Sequence, residues 1–246
     1  MLPKIEVVTI WYNEAFLAPF FLNHYAFADQ IRIFYDVDST DNTKEIIGKY
    51  PNVSVEDLKY PDGYDDIIRA ETLTDACKES KADWVIAVDA DEFVFFEDRF
   101  LGFLERQIDD IVFARLFQVY RNINELDLDS SKPIREQRQH GEPDVVKGQN
   151  ANGMKPIVVR TGKGIHWMPG CHKIWNRHKF RTSPDILLGA HWVMADPCFC
   201  IDRRMTRPIR QSQRNKDLGH SSHYNNVMVE SLIDEIEQHR NDGRLF

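Results

Sequence analysis

The chain opens on residues 4–10 (KIEVVTI), a β-branched, apolar run of the kind carried by strands buried on both faces. Residues 14–28 are rich in aromatic and aliphatic side chains and predict helix, which Pro19 should kink or confine to short pieces. A second strand is expected over 30–35 (QIRIFY), running into the acidic turn DVDSTDNT. A short helix over 45–50 and an alternating third strand over 53–58 come next. Residues 66–80 read as a helix, with Ile67, Ala70, Leu73 and Cys77 spaced for one buried face. Residues 83–88 make a fourth, apolar strand. Helices alternating with strands at this spacing predict βαβ units in a parallel, right-handed doubly wound sheet.

Past about residue 120 the alternation stops. Residues 121–152 are polar and include Pro133, Gly141, Pro143 and Gly148, the marks of a long functional loop or a mobile segment. Shorter strands are expected over 154–160, 164–168 and 186–191. Val229, Leu232, Ile233 and Ile236 stand at helical spacing and predict an amphipathic closing helix. The 246 residues suffice for one α/β domain, with a sheet-bearing half over 1–120 and an irregular half over 121–246.

Composition narrows the picture. Hydrophobic residues make up 42% and charged residues 28%, as in ordinary globular chains, and no apolar run approaches the ~20 residues a membrane-spanning helix needs. The start of the chain lacks the pattern of a signal peptide, and four cysteines suit a reducing compartment, so cytoplasmic residence is expected. A net charge of −8 argues against nucleic acid as a partner. Residues 202–216 oppose that balance, with six Arg or Lys and one acid. Such a cluster suits a phosphate-rich ligand, a peripheral contact with the inner face of an anionic membrane, or simply a solvated helix face.

The candidate chemistry lies at strand ends. Ligands of open parallel sheets bind beyond the carboxyl ends of the strands. Here those ends read Tyr12-Asn13-Glu14, Asp36-Val37-Asp38-Ser39-Thr40-Asp41 and Asp89-Ala90-Asp91-Glu92. Carboxylates converging this closely need a cation, and oxygen ligands that leave positions open suit Mg²⁺ or Mn²⁺ sharing a substrate phosphate. Alternation at a strand end would point Asp89 and Asp91 the same way, with Ala90 leaving room for the ligand. Taken singly, each acidic run is also an ordinary turn or helix cap.

Residues 7–43, followed by ADWVIAVDADEF, resemble the family 2 type of GT-A glycosyltransferase. The resemblance is strong over roughly residues 4–100 and looser beyond. It implies a GT-A (Rossmann-like) central, mostly parallel sheet flanked by helices, a nucleotide-sugar-binding half over 1–120, and an acceptor-binding half with the closing helix over 121–246. It implies nucleotide contacts from Asn13, Glu14, Asp36 and Asp38, and from Arg69. Asp89 takes a ribose or metal role beside Ala90, and Asp91 becomes the main metal ligand. A histidine from the second half often joins the metal in such enzymes; His191 is favoured, then His166, with His172 a further candidate. Lys155, at the start of KPIVVR, would face the diphosphate or the acceptor. The Arg-rich stretch from Arg203 to Arg214, with Arg207 and Arg210 foremost, would close over the diphosphate, where leaving-group charge grows during transfer.

The expected activity is transfer of a sugar from a UDP- or GDP-linked donor to a glycan or lipid-linked acceptor, with inversion, in cell-surface polysaccharide or glycoconjugate synthesis. Inversion needs a carboxylate base. The Glu-Asp pair that usually supplies it in family 2 is missing, and Glu142 and Asp144 are the nearest candidates. A nucleotidyltransferase would carry a glycine-rich basic loop after its first strand, where this chain has acidic Trp11-Tyr12-Asn13-Glu14. A non-catalytic nucleotide-sugar-binding module is opposed by the intact Asp89, Asp91 and Glu92. Zinc at Cys198, Cys200, His220 and His223 is disfavoured, because these spacings are shorter than those zinc sites use.

Overall fold

The computed structural model describes residues 2–96, 100–143, 154–222 and 228–240. The first half builds β1 (Ile5–Trp11), α1 (Ala18–His24), β2 (Gln30–Asp36), α2 (Thr43–Ile47), β3 (Val53–Leu58), α3 (Asp66–Glu79), β4 (Trp84–Ala87), β5 (Glu92–Phe95), α4 (Phe100–Arg106) and β6 (Ile111–Tyr120). The second half adds α5 (Ile134–Gln137), β7 (His140–Pro143), β8 (Met154–Arg160), β9 (Thr182–Met194), α6 (Pro197–Arg210), α7 (Gln213–Asp217) and α8 (Val229–Arg240). Pro19 falls in the first turn of α1, where its missing N–H costs nothing, and shortens the expected helix from the front.

The nine strands among the described residues join one sheet in the order β3-β2-β1-β4-β8-β6-β9-β5, with β7 paired to β6. Strands β1 to β4 pair parallel, and β6 pairs parallel with β9, whereas β5, β7 and β8 run against their neighbours. The sheet is therefore mixed, not parallel throughout, and strands of the second half lie inside it. One face packs α1 and α2 over Ile5, Val7, Trp11, Ile31 and Ile33. The other packs α3 through Ala70, Leu73 and Cys77 against Val8, Phe34, Val85 and Ala87.

Residues 164–168, expected as a strand, make a single bridge between Trp167 and Ile174. Ile165 and Trp167 bury against the α3 face instead of entering the sheet, and Trp167 N donates to Thr74 Oγ1 at 3.1 Å. In the closing helix, Leu232 and Ile236 are buried, while Ile233 faces out. No helix among the described residues is long and apolar enough to cross a membrane.

Candidate active site

The order β2-β1-β4 brings the three acidic strand ends side by side. They line a cleft that opens to solvent, bounded by Tyr12, Glu14, Asp36, Asp89 and Ala90 from these ends and by α6 on the far side. Local hydrogen bonds shape the ends. Asn13 adopts φ 51°, a left-handed conformation that asparagine tolerates better than most residues. Its Oδ1 accepts from Thr40 N at 2.7 Å and Asp41 N at 3.3 Å, tying the β1 loop to the acidic turn after β2. Thr43 Oγ1 accepts from Glu14 N at 2.8 Å, which fixes Glu14 with its side chain buried. Asn13 is thus an organiser of the loop. Asp38 is exposed, and its N–H donates to Asp36 Oδ1 at 3.0 Å.

Side-chain cations meet the acids. Asp89 pairs with Arg69 through one oxygen and with Lys155 through the other, the latter at 3.2 Å. Lys155 also pairs with Glu92. From α6, Arg203 reaches Glu14 Oε1 at 2.5 Å and Asp91 Oδ2 at 3.1 Å, and Arg210 pairs with Asp36. Arg207 lines the cleft with its guanidinium over the Tyr64 ring. Residues 203, 207 and 210 recur at helical spacing, so one face of α6 presents all three.

Burial pushes the Glu14 carboxyl up to about 7, although Arg203 opposes the shift. Burial acts the same way on Asp91, but Arg203 and His191 outweigh it and hold Asp91 well below the usual carboxylate range. Burial also raises Asp36 above its ordinary value, despite Arg210.

The position of α6 is set by a clasp with the β3–α3 loop. Tyr64 N donates to Arg210 O at 2.6 Å, and Ser212 N donates to Tyr64 O at 2.9 Å. Asp65 caps α3, accepting from Ile67 N and Ile68 N, and also accepts from Ser212 Oγ at 2.9 Å and Arg214 Nε at 2.8 Å. Asp66 accepts from Tyr64 OH, Ser221 Oγ and Asn215 Nδ2. Four of the six cations in 202–216, namely Arg203, Arg207, Arg210 and Arg214, therefore face the cleft or Asp65. That removes most of the charge on which a membrane contact through this segment would rest.

The expected residues divide into those the fold gathers and those it does not. Glu14, Asp36, Arg69, Asp89, Ala90, Arg207 and Arg210 line the cleft. Asp91 and Lys155 join it through their ion pairs. His191 lies beside Asp91, its Nε2 at 3.4 Å from Oδ2. His166 is exposed on the segment packed against α3, is not among the lining residues, and is tied through its backbone to Asn176 and Trp175. Glu142 sits on β7 with His239 Nε2 at 3.7 Å. Asp144 lies outside the described residues, as does His223. Cys198 and Cys200 are free, one exposed and one buried. Trp167 and Trp192 are core residues, whereas Trp175 is exposed.

Among the described residues no group of three or more His, Cys, Asp or Glu side chains is arranged to hold a metal ion. Asp89 is clamped by two cations. Asp91, whose Oδ2 also meets Arg203, and His191 are the residues that could offer ligands to a divalent ion, since Mg²⁺ or Mn²⁺ uses one or two protein ligands and fills its shell with phosphate and water. Residues of the site without a sequence signal are Tyr60 and Tyr64, which become wall residues only where α6 meets the β3–α3 loop, whereas Arg203 belongs to the basic stretch already singled out.

No protein-family model and no curated protein matches the chain. Among solved structures, S. aureus TarS is similar over 98% of this chain at 14% identity with a TM-score of 0.45, and this chain spans 44% of that longer one. TarS residues 1–349 in complex with UDP-GlcNAc give 15% identity and a TM-score of 0.47 over 95% of this chain and 71% of theirs. Glucosyl-3-phosphoglycerate synthase from Mycobacterium tuberculosis, in complex with Mn²⁺, UDP and phosphoglyceric acid, gives 20% identity and a TM-score of 0.33 over 47% of this chain and 43% of its own. Likeness at this level assigns no role to any residue.

Proposed function

We propose that the protein is a GT-A-type glycosyltransferase that moves a sugar, with inversion, from a UDP- or GDP-linked donor to a glycan or lipid-linked acceptor in cell-surface polysaccharide or glycoconjugate synthesis. The observation that carries this reading is the convergence of three acidic strand ends on one cleft faced by an arginine-bearing helix. Acids with helix-borne cations suit a ligand that has hydrogen-bond donors at one end and a diphosphate at the other. Asp36 and Asp38 take the nucleoside, Asp89 the ribose, and Arg203, Arg207, Arg210 and Lys155 the diphosphate. These cations stand ready where charge grows as the sugar–phosphate bond breaks. Asp91 and His191 hold Mn²⁺ or Mg²⁺, which would further offset diphosphate charge.

Glu142 is the proposed base. The pairing register puts Glu142, Gln118, His191 and Glu92 in one row across β7, β6, β9 and β5. Two strand spacings separate Glu142 from His191, roughly 10 Å, which leaves room between base and metal for the transferred sugar and an acceptor hydroxyl.

Incubation with UDP- and GDP-sugars and Mn²⁺ tests this reading by nucleoside diphosphate release and by thermal shift. Release is expected with at least one donor, together with metal-dependent stabilisation that Asp91→Ala abolishes. Glu142→Gln should keep donor binding and lose transfer. Pyrophosphate release from a nucleoside triphosphate would overturn the proposal.

A further inference from the structure

Part of the cleft wall is aromatic. Tyr12, Tyr60 and Tyr64 line it next to Asp36, with the Tyr60 and Tyr64 rings 5.7 Å apart. Tyr60 is 4% exposed and Asp36 1%. The Tyr60 hydroxyl is buried and has no hydrogen-bond partner, whereas the Tyr64 hydroxyl donates to Asp66. A buried hydroxyl without a partner is costly, so one retained beside a cleft calls for a ligand that satisfies it. Asp36, Arg69 and Arg210 all act electrostatically on this hydroxyl, which places it at the Asp36 end.

Arg210 shows what shape fits there. Its planar guanidinium lies over the face of the Tyr12 ring while an N–H donates to Asp36. A flat group stacked on Tyr12 and giving an N–H to Asp36 is also how a nucleobase would sit.

We propose that Tyr60 reads the base of the donor: its hydroxyl donates to a ring carbonyl while Asp36 accepts from the adjacent ring N–H. This rests on the nucleotide-sugar reading above. Uracil and guanine both present a carbonyl beside a ring N–H. Cytosine and adenine present an amino group beside a bare ring nitrogen, leaving Tyr60 without an acceptor and setting an unprotonated nitrogen against the Asp36 carboxylate. The seat thus selects lactam bases, and Arg210 yields its place on Asp36 when the base enters.

Calorimetric titration of UDP, GDP, CDP and ADP into the wild type and Tyr60→Phe decides it. The wild type should bind UDP or GDP at least about tenfold tighter than CDP and ADP, the UDP and GDP arms showing which lactam base is preferred. Tyr60→Phe should weaken the preferred nucleotide about fivefold, the worth of one neutral hydrogen bond, and leave CDP unchanged. A UDP analogue lacking the 4-oxo group should bind wild type and variant alike if uracil is preferred. Equal affinity of wild type and Tyr60→Phe for the preferred nucleotide overturns the role of Tyr60 and leaves the donor reading standing. Failure of the wild type to bind any of the four overturns both. Circular dichroism of Tyr60→Phe excludes misfolding as the cause of a loss.

Discussion

Glu14 is 2% exposed, shares Arg203 with Asp91, and leaves its second carboxylate oxygen without a hydrogen bond. Its carboxyl, raised by burial to about 7, holds a proton in the folded chain that the unfolded chain releases near 4.5. Folding therefore binds a proton between those values, and stability falls as pH rises from about 4.5 to 7, then stays lower. The full shift corresponds to about 3 kcal/mol. Glu14→Gln keeps an acceptor for Arg203 without the titration. Urea midpoints measured across this pH range should drop less in the variant than in the wild type, and the variant should be the more stable at pH 8. Matching slopes would refute this account of Glu14.

At the scale of elements, the junction of α6 with the β3–α3 loop turns on Gly63. Its φ of 82° suits glycine, and a Cβ there would stand 2.3 Å from Arg210 O. Gly63→Ala meets strained backbone and rigid backbone crowding together, and should cost about 2 kcal/mol or more. Because it pushes on Arg210, the cleft should loosen as well, seen as faster proteolysis within α6. Little of this junction was legible in the chain. Tyr-Pro-Asp-Gly-Tyr reads as a turn, and its partner lies about 150 residues away. The strands β1 to β4 were legible to within a residue or two, because β1, β2 and β4 are the largely apolar runs of buried parallel strands and β3, at the sheet edge, alternates. β5 was hidden, since it starts at Glu92 inside the acidic motif and gains its strand character from β9. The 202–216 charges were visible, but whether they faced water or carboxylates depended on tertiary contacts. Asp91 and its neighbours could be read as a site; their cations Lys155 and Arg203 lie about 60 and about 110 residues further along the chain.

At the scale of the molecule, β8 is the strand that makes the two halves inseparable. It pairs with β4 on one side and β6 on the other, so the first half lacks a central strand without it. A fragment of residues 1–120 would expose the edges of β4 and β6 and the apolar side chains that β8 covers. Such a fragment should be unfolded or aggregated, with poorly dispersed amide resonances; a dispersed spectrum would show that the donor half folds alone. The clasp at Tyr64 carries a similar dependence into the cleft. The loop that supplies Tyr60 and the helix that supplies Arg210 are bonded backbone to backbone on both sides of Tyr64. Exchanging the loop with that of another nucleotide-binding protein would therefore also displace the arginines. A change of base preference has to be transplanted as two segments, residues 60–66 together with 207–215, and an insertion in either one would move both the base wall and the phosphate cations.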